Sequence, residues 1–190
     1  GIRDRKETHS NLLTPTLGVG GFCLPKDPLL ALYAAKNFGM DIGECSLILR
    51  AVVKNDLNPL RAVQFALQGL QDLGRSMAQA RVAVMGVSYK AGVGDTRYSP
   101  AETLSRAFLK LGSQVSAHDP HVVNWMELEL DPEFDVDYHG GSTADMYTVM
   151  RDADVIVFAV NHPDYLDLDI EHLQNVRQGQ PAVIVDAYNV

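Results

Sequence analysis

The sequence predicts an α/β chain in which a helical segment precedes a doubly wound, mostly parallel sheet. Three observations predict it. Four short stretches, at 81–86, 114–119, 153–160 and 182–186, read as strands, and the third is almost wholly apolar, as a strand covered on both faces is. Helical patterns at 101–111, 143–151 and 170–176 separate these runs, so the connections are right-handed crossovers in a parallel sheet. Before residue 79 the apolar residues recur at helical spacing only. The expected division is a helical unit at 1–78 and a sheet unit at 79–190.

Residues 1–17 are polar, then mixed, and predict an extended lead-in. Next comes Gly18-Val19-Gly20-Gly21-Phe22-Cys23-Leu24-Pro25-Lys26-Asp27-Pro28. Its glycines let a backbone approach a ligand, and Pro25 stiffens the link from thiol to Lys26 and Asp27. A thiolate forms more readily beside a cation and free N–H groups, so the loop reads as a nucleophile beside a bound anion, or as a turn carrying a buried cysteine. Asp27-Pro28 predicts a helix start with Asp27 at the N-cap and Pro28 at N1, running to a stop at Gly39. The positive end of that helix would lower the Cys23 pKa.

From about Glu44 to Leu73 the residues Leu47, Ile48, Ala51, Val52, Leu60, Val63, Ala66, Leu67 and Leu70 recur at helical spacing. Asn58-Pro59 interrupts them, as a kink or as the cap and first position of a new helix. Met40, Cys45 and Leu49 are expected to pack. These helices either face a subunit or domain interface or pack on each other.

Arg81-Val82-Ala83-Val84-Met85-Gly86 is the first strand, followed by a long glycine-containing loop. Ser99-Pro100 supplies N-cap and N1 of an amphipathic helix that ends at Gly112. The second strand ends in His118-Asp119-Pro120, and residues 121–142, with six acidic side chains from Glu127 to Asp137, predict an irregular solvated excursion. A short helix, the third strand, the loop Asn161-His162-Pro163-Asp164-Tyr165, another short helix and the last strand complete the chain. Ligands of such sheets bind beyond the strand carboxyl ends, which here carry Tyr89, Lys90, Arg97, Asp119, Asn161, His162, Asp186 and Tyr188.

The spacing of Gly86, Gly92 and Gly94 does not fit G-x-G-x-x-G, and no Walker A motif occurs. Lys90 and Arg97 still set two cations in the crevice, suited to a phosphate-bearing ligand or to an ordinary surface loop. His118, His121, His139 and His162 lack metal-ligand spacing, so no metal is expected. His162-Pro163-Asp164 lines the crevice or forms a structural turn.

The chain has 190 residues, 46% apolar and 21% charged, as in ordinary globular proteins. A net charge of −8 argues against nucleic acid. Residues 1–75 hold nine basic and seven acidic side chains and residues 76–190 seven and seventeen, so the glycine loop sits in the less acidic part. Two cysteines make no disulfide framework and suggest a reducing, cytoplasmic setting. No run approaches the roughly 18 apolar residues that span a bilayer, so no membrane partner is expected. The start at Gly1 suggests an excerpt of a longer protein or a tag scar.

The ordered series of the glycine–cysteine loop, Gly86-Val87-Ser88-Tyr89-Lys90 with Asp95-Thr96-Arg97-Tyr98-Ser99-Pro100, His118-Asp119-Pro120, Ala153-Asp154-Val155-Ile156-Val157 and Asp186-Ala187-Tyr188-Asn189-Val190 resembles the UDP-glucose/GDP-mannose dehydrogenase family. The resemblance covers nearly the whole chain from Asn11 and corresponds to the end of the family's central helical domain and its Rossmann-like C-terminal domain. It implies oxidation of a nucleotide sugar at C6 to the acid in two NAD-dependent steps, NAD being held mainly by an N-terminal domain that this stretch lacks, so that the stretch alone would be inactive. It implies Cys23 as nucleophile and Asp27 as the group that positions or activates water. Gly18, Val19, Gly20 and Gly21, with Tyr89 and Lys90, would contact the nucleotide sugar, and Arg97 would reach NAD. The helices of 44–73 would form a homodimer interface. The competing reading is a non-catalytic nucleotide-sugar-binding or dimerisation module derived from the family.

Three departures stand out. The family's catalytic lysine and asparagine fall upstream of this stretch. His9 lies near where many members have a substrate-binding arginine, and Tyr188 stands where many have arginine. Gly18-Val19-Gly20-Gly21 leans toward the N-acetylmannosamine type, whereas Leu24-Pro25-Lys26-Asp27 leans toward the UDP-glucose and GDP-mannose types.

Overall fold

A computed structural model describes residues 16–40 and 46–188. His9, Cys45, Asn189 and most of the lead-in lie outside the described residues. Five strands form one all-parallel sheet: β1 (Arg81–Met85), β2 (Gln114–Asp119), β3 (Asp137–Gly140), β4 (Val155–Phe158) and β5 (Val183–Asp186). Their spatial order is β3-β2-β1-β4-β5. The order reverses between β1 and β4, and that switch point opens the crevice at the strand carboxyl ends.

The helices are α1 (Asp27–Asn37), α2 (Leu47–Leu57), α3 (Leu60–Asp72), α4 (Pro100–Lys110), α5 (Met126–Leu130), α6 (Met146–Arg151), α7 (Pro163–Leu166) and α8 (Ile170–Val176). Alternation along β1 explains the two layers. Val82 and Val84 face one core with Val115, Val155 and Val157, where Ala62, Val63, Ala66 and Leu70 of α3 and Leu104 and Phe108 of α4 cover them. Ala83 and Met85 face the other core with Ile156 and Phe158, covered by Met146, Val149 and Met150 of α6 and Leu173 of α8.

The Asn58-Pro59 break produces two helices, with Pro59 at the N-cap of α3. They differ in what they pack on. α3 lies so close to β5 that a Cβ on Gly69 would come within 2.6 Å of Val183. α1 and α2 touch each other but bury no residue. Met40 and Leu49, expected to pack, are exposed.

Two more expectations are corrected. The excursion 121–142 contains β3 and α5. β3 is an edge strand, paired only through Ser116↔Asp137 to Asp119↔Gly140, and none of its residues is fully buried, so it needs no apolar run. Trp125 and Phe134 from the same excursion turn inward and meet edge to face at 5.1 Å. The segment after β4 forms α7, with His162 at its N-cap and Pro163 in its first turn. Ser99 caps α4 as expected, its Oγ accepting from the Ala101 amide. Among the described residues no helix is long and apolar enough to cross a membrane.

Candidate functional site

The glycine loop lies directly on the loop that follows β1. Gly20 is the point of closest approach: a Cβ there would stand 2.6 Å from the Tyr98 carbonyl oxygen and 2.8 Å from Tyr89 Cβ. Gly21 has φ +87° and faces the Tyr89 ring, and its amide donates to the Arg97 carbonyl at 2.9 Å. Only glycines tolerate this contact. The other side of the loop is held by α2. Asn55 pairs with both polar groups of the Val19 backbone, accepting from N–H at 2.7 Å and donating to C=O at 2.9 Å. One turn on, Asn58 Nδ2 donates to the carbonyls of Thr16 and Leu17 at 2.9 and 2.8 Å. Gly18 sits between Asn55 and Pro100.

Cys23 is a free, exposed cysteine at the tip of this arrangement. Its carbonyl accepts from the amides of Lys26 and Asp27, which turns the chain into α1. The expected cap is corrected: Lys26 occupies the N-cap and Asp27 opens the helix, making no side-chain capping bond. Its carboxylate pairs with the Lys26 ammonium instead, which raises the Lys26 pKa. Asp27 still lies in the first turn, where the helix dipole favours an anion.

Phe22 joins the two loops. Its ring lies under the Lys26 ammonium at 4.8 Å on one contact and the Arg97 guanidinium at 4.9 Å on the other. Arg97 is exposed and forked onto Asp95, with bonds of 2.9 Å from Nε and 2.6 Å from Nη2, which raises the Arg97 pKa and lowers that of Asp95. Lys90 is exposed on the same loop, and the half-buried Tyr89 is held by its amide to the Asp95 carbonyl at 2.9 Å. The structure therefore gathers Cys23, Asp27, residues 18–21, Tyr89 and Arg97 around one docked pair of loops, with Lys90 on the rim.

Beneath the β1 loop lies a buried polar cluster. Asp119 Oδ2 accepts from the amides of Val87 and Ser88 at 2.8 and 2.9 Å and from His162 Nε2 at 3.1 Å, while Oδ1 accepts from the His121 amide. Burial opposes its ionisation, but His162 and the backbone donors outweigh burial and hold its pKa at about 2. This carboxylate is an internal anion in the place where a dinucleotide-binding loop would offer its amides to pyrophosphate. The exposed cations on this loop are Lys90 and Arg97, the latter paired with Asp95. Arg97 suits the phosphate of a dinucleotide, although the β1 loop itself offers no cradle for one.

The strand-end reading singled out Tyr89, Lys90, Arg97 and Asp119, together with Asn161, His162, Asp186 and Tyr188. It did not single out Asn55, Asn58 or Phe22, whose roles come from contacts over long sequence separations; the i, i+3 spacing of the two asparagines is the one available signal. His162 is wholly buried, between the Asp119 carboxylate and the Gly92 amide. Tyr188 turns inward, its hydroxyl on the Thr16 side chain, and burial raises its pKa.

Comparison with known proteins bears on this arrangement. Residues 83–190 match the UDP-binding domain of the UDP-glucose/GDP-mannose dehydrogenase family. The UDP-N-acetyl-D-mannosamine dehydrogenase of Pyrococcus horikoshii is 30% identical over 177 residues, covering 93% of this chain and 36% of that protein. Its counterpart in Methanocaldococcus jannaschii is 29% identical over 187 residues, covering 97% of this chain and 38% of that protein. The crystal structure of an NDP-N-acetyl-D-galactosaminuronic acid dehydrogenase from Methanosarcina mazei Go1 superposes with a TM-score of 0.80 at 30% identity, over 94% of this chain and 36% of that one. The chain thus spans somewhat more than a third of the length of the curated relatives it matches. With more than half of its residues in the family's UDP-binding domain, the chain belongs to the UDP-glucose/GDP-mannose dehydrogenase family.

Proposed function

We propose that this chain supplies the nucleophile loop and the nucleotide-binding domain of an NAD-dependent nucleotide-sugar 6-dehydrogenase acting on a UDP-sugar. The observation that carries the reading is the docking of the Cys23 loop on the Tyr89–Arg97 loop, through Gly20, the Gly21–Arg97 bond and the shared Phe22 ring. That contact brings the loop that carries the thiol against the loop that carries the cations. In this reading residues 1–78 are the end of a central helical domain and 79–190 the nucleotide-sugar domain.

Cys23 Sγ adds to the C6 aldehyde carbon, forming a C–S bond while the oxygen takes a proton. Loss of hydride from C6, with the hydroxyl giving up its proton, leaves a thioester on Cys23. Water then adds at the same carbon as Asp27 takes its proton, the C–S bond breaks, and the acid leaves. NAD, when bound, accepts the hydride of each of the two oxidations. Residues 18–21 line the sugar, Tyr89 and Lys90 hold the nucleotide, and Arg97 neutralises a cofactor phosphate. Relatives named for UDP-N-acetylmannosamine and the Gly18-Val19-Gly20-Gly21 sequence favour that sugar.

The exposed apolar side chains of α1 and α2, among them Tyr33, Leu47 and Val53, fit burial against a second copy. A homodimer through 44–73 is part of the proposal.

The test is made in a chain of the relatives' full length. Cys23→Ser abolishes acid formation from UDP-N-acetylmannosamine, UDP-glucose or GDP-mannose. Unchanged acid formation removes Cys23 as the nucleophile. Nucleotide-sugar binding without turnover by the unmutated full-length protein supports the non-catalytic module instead.

A further inference from the structure

We infer that His162 is the positioning residue that sets the height of the Lys90 loop over the nucleotide crevice, by bridging the buried Asp119 to the Gly92 amide. The inference rests on the reading that Tyr89 and Lys90 hold the nucleotide.

His162 follows β4 and is wholly buried, yet both ring nitrogens act on other strand ends. The Gly92 amide donates to Nδ1 at 3.2 Å, so Nδ1 carries no proton. The ring proton is therefore on Nε2, which lies 3.1 Å from Asp119 Oδ2 and 3.2 Å from Ser88 Oγ. The Ser88 hydroxyl directs its own hydrogen to the Lys90 carbonyl at 2.9 Å. Each component has one arrangement that satisfies all of them. Asp119 from the end of β2 fixes the imidazole tautomer, and the imidazole fixes Gly92.

The rest of the loop is held in the same manner. Asp119 binds the Val87 and Ser88 amides, Ser99 Oγ donates to the Ser88 carbonyl at 3.2 Å, and the Tyr89 amide donates to the Asp95 carbonyl. Lys90 stands between the Ser88 and Gly92 anchors. The side chain is exposed, but its backbone is tied on both sides to the Asp119–His162 pair. Losing the Gly92 anchor frees the stretch that presents the ammonium without touching the ammonium itself. A preorganised cation binds phosphate more tightly than a mobile one.

Two substitutions separate the halves of the bridge. An asparagine amide oxygen lies near the position of Nδ1 and still accepts from Gly92, whereas a glutamine amide nitrogen lies near Nε2 and still donates to Asp119. UDP binding to the 190-residue chain is measured by calorimetry for the unmutated protein, Lys90→Ala, His162→Asn and His162→Gln, with urea midpoints for each. Both His162 variants lose stability. His162→Gln is expected to lose about tenfold in UDP affinity, the equivalent of one hydrogen bond, while His162→Asn stays within about threefold of the unmutated chain. Equal affinities for His162→Gln and the unmutated chain overturn the positioning role, as do equal losses in both variants, which mark a structural residue only. Unchanged binding in Lys90→Ala, or no UDP binding by the unmutated chain, overturns the nucleotide-site reading and the inference with it. Loss in Lys90→Ala with no loss in His162→Gln sinks the inference alone.

Discussion

Asp119→Asn changes one charge and almost no volume, so it isolates what the buried carboxylate contributes. The native pKa of about 2 against an ordinary 3.8 corresponds to folding free energy on the order of 2–3 kcal/mol at neutral pH. Asp119 is wholly buried, so solvent screening does not discount this figure. An asparagine must also turn its NH2 toward either the His121 amide or the three donors on Oδ2, and each choice sets donor against donor. The cheaper choice faces His121, for a total of roughly 2–4 kcal/mol. At a urea slope of about 2 kcal/mol/M the midpoint falls by roughly 1–2 M. The single tryptophan, Trp125, is buried against Phe134 and reports the transition by fluorescence. The pH dependence gives a second reading of the same group. Its carboxyl binds a proton less well folded than unfolded, so its contribution is complete above pH 3.8 and disappears as the pH falls through about 2. The unmutated chain therefore loses stability in that window and the variant loses less. A midpoint shifted by less than about 0.3 M, or identical acid profiles in the two proteins, refutes the assignment of Asp119 as a paired buried anion.

Gly20→Ala forces a methyl against the Tyr98 carbonyl and Tyr89, and the glycine loop lifts from the β1 loop. Hydrogen exchange at the Gly21 amide, bonded to the Arg97 carbonyl, is expected to speed up at least tenfold; unchanged protection contradicts the docked pair. Asn55→Ala removes both bonds to Val19, and exchange at the Val19 amide rises, while Asn55→Asp keeps the acceptor and restores much of the protection. Arg177 is buried and donates to the carbonyls of Met150, Ala153 and Gln180 around the end of α6. Arg177→Leu leaves these unpaired and costs about 3 kcal/mol in urea unfolding; a cost below about 1 kcal/mol shows that water replaces the guanidinium.

Much of the fold was legible because its signals are local. β1, β4 and β5 declare themselves by β-branched residues, β2 by its place between a helix stop at Gly112 and the turn at Asp119-Pro120, and the Ser99-Pro100 cap by chemistry that acts within two residues. β3 escaped because an edge strand with exposed side chains carries no apolar alternation. Asp27 was misplaced by one position for a related reason. Its carboxylate had two competing partners, a capping amide and the Lys26 ammonium, and the sequence does not say which wins.

For the site, residue types in order determined the chemistry available: a thiol beside glycines, two cations after β1, and a family-specific series of motifs. The tertiary structure alone decided which of these meet. Gly20 must be glycine because Tyr98 lies 78 residues away in sequence and 2.6 Å from where its Cβ would be. Asp119 and His162 could be named as strand-end residues, but their coupling depends on β2 and β4 flanking β1 in the sheet. Side-chain pairing across the sheet follows from strand order, and strand order is set by how the helices cover both faces rather than by any single stretch of residues.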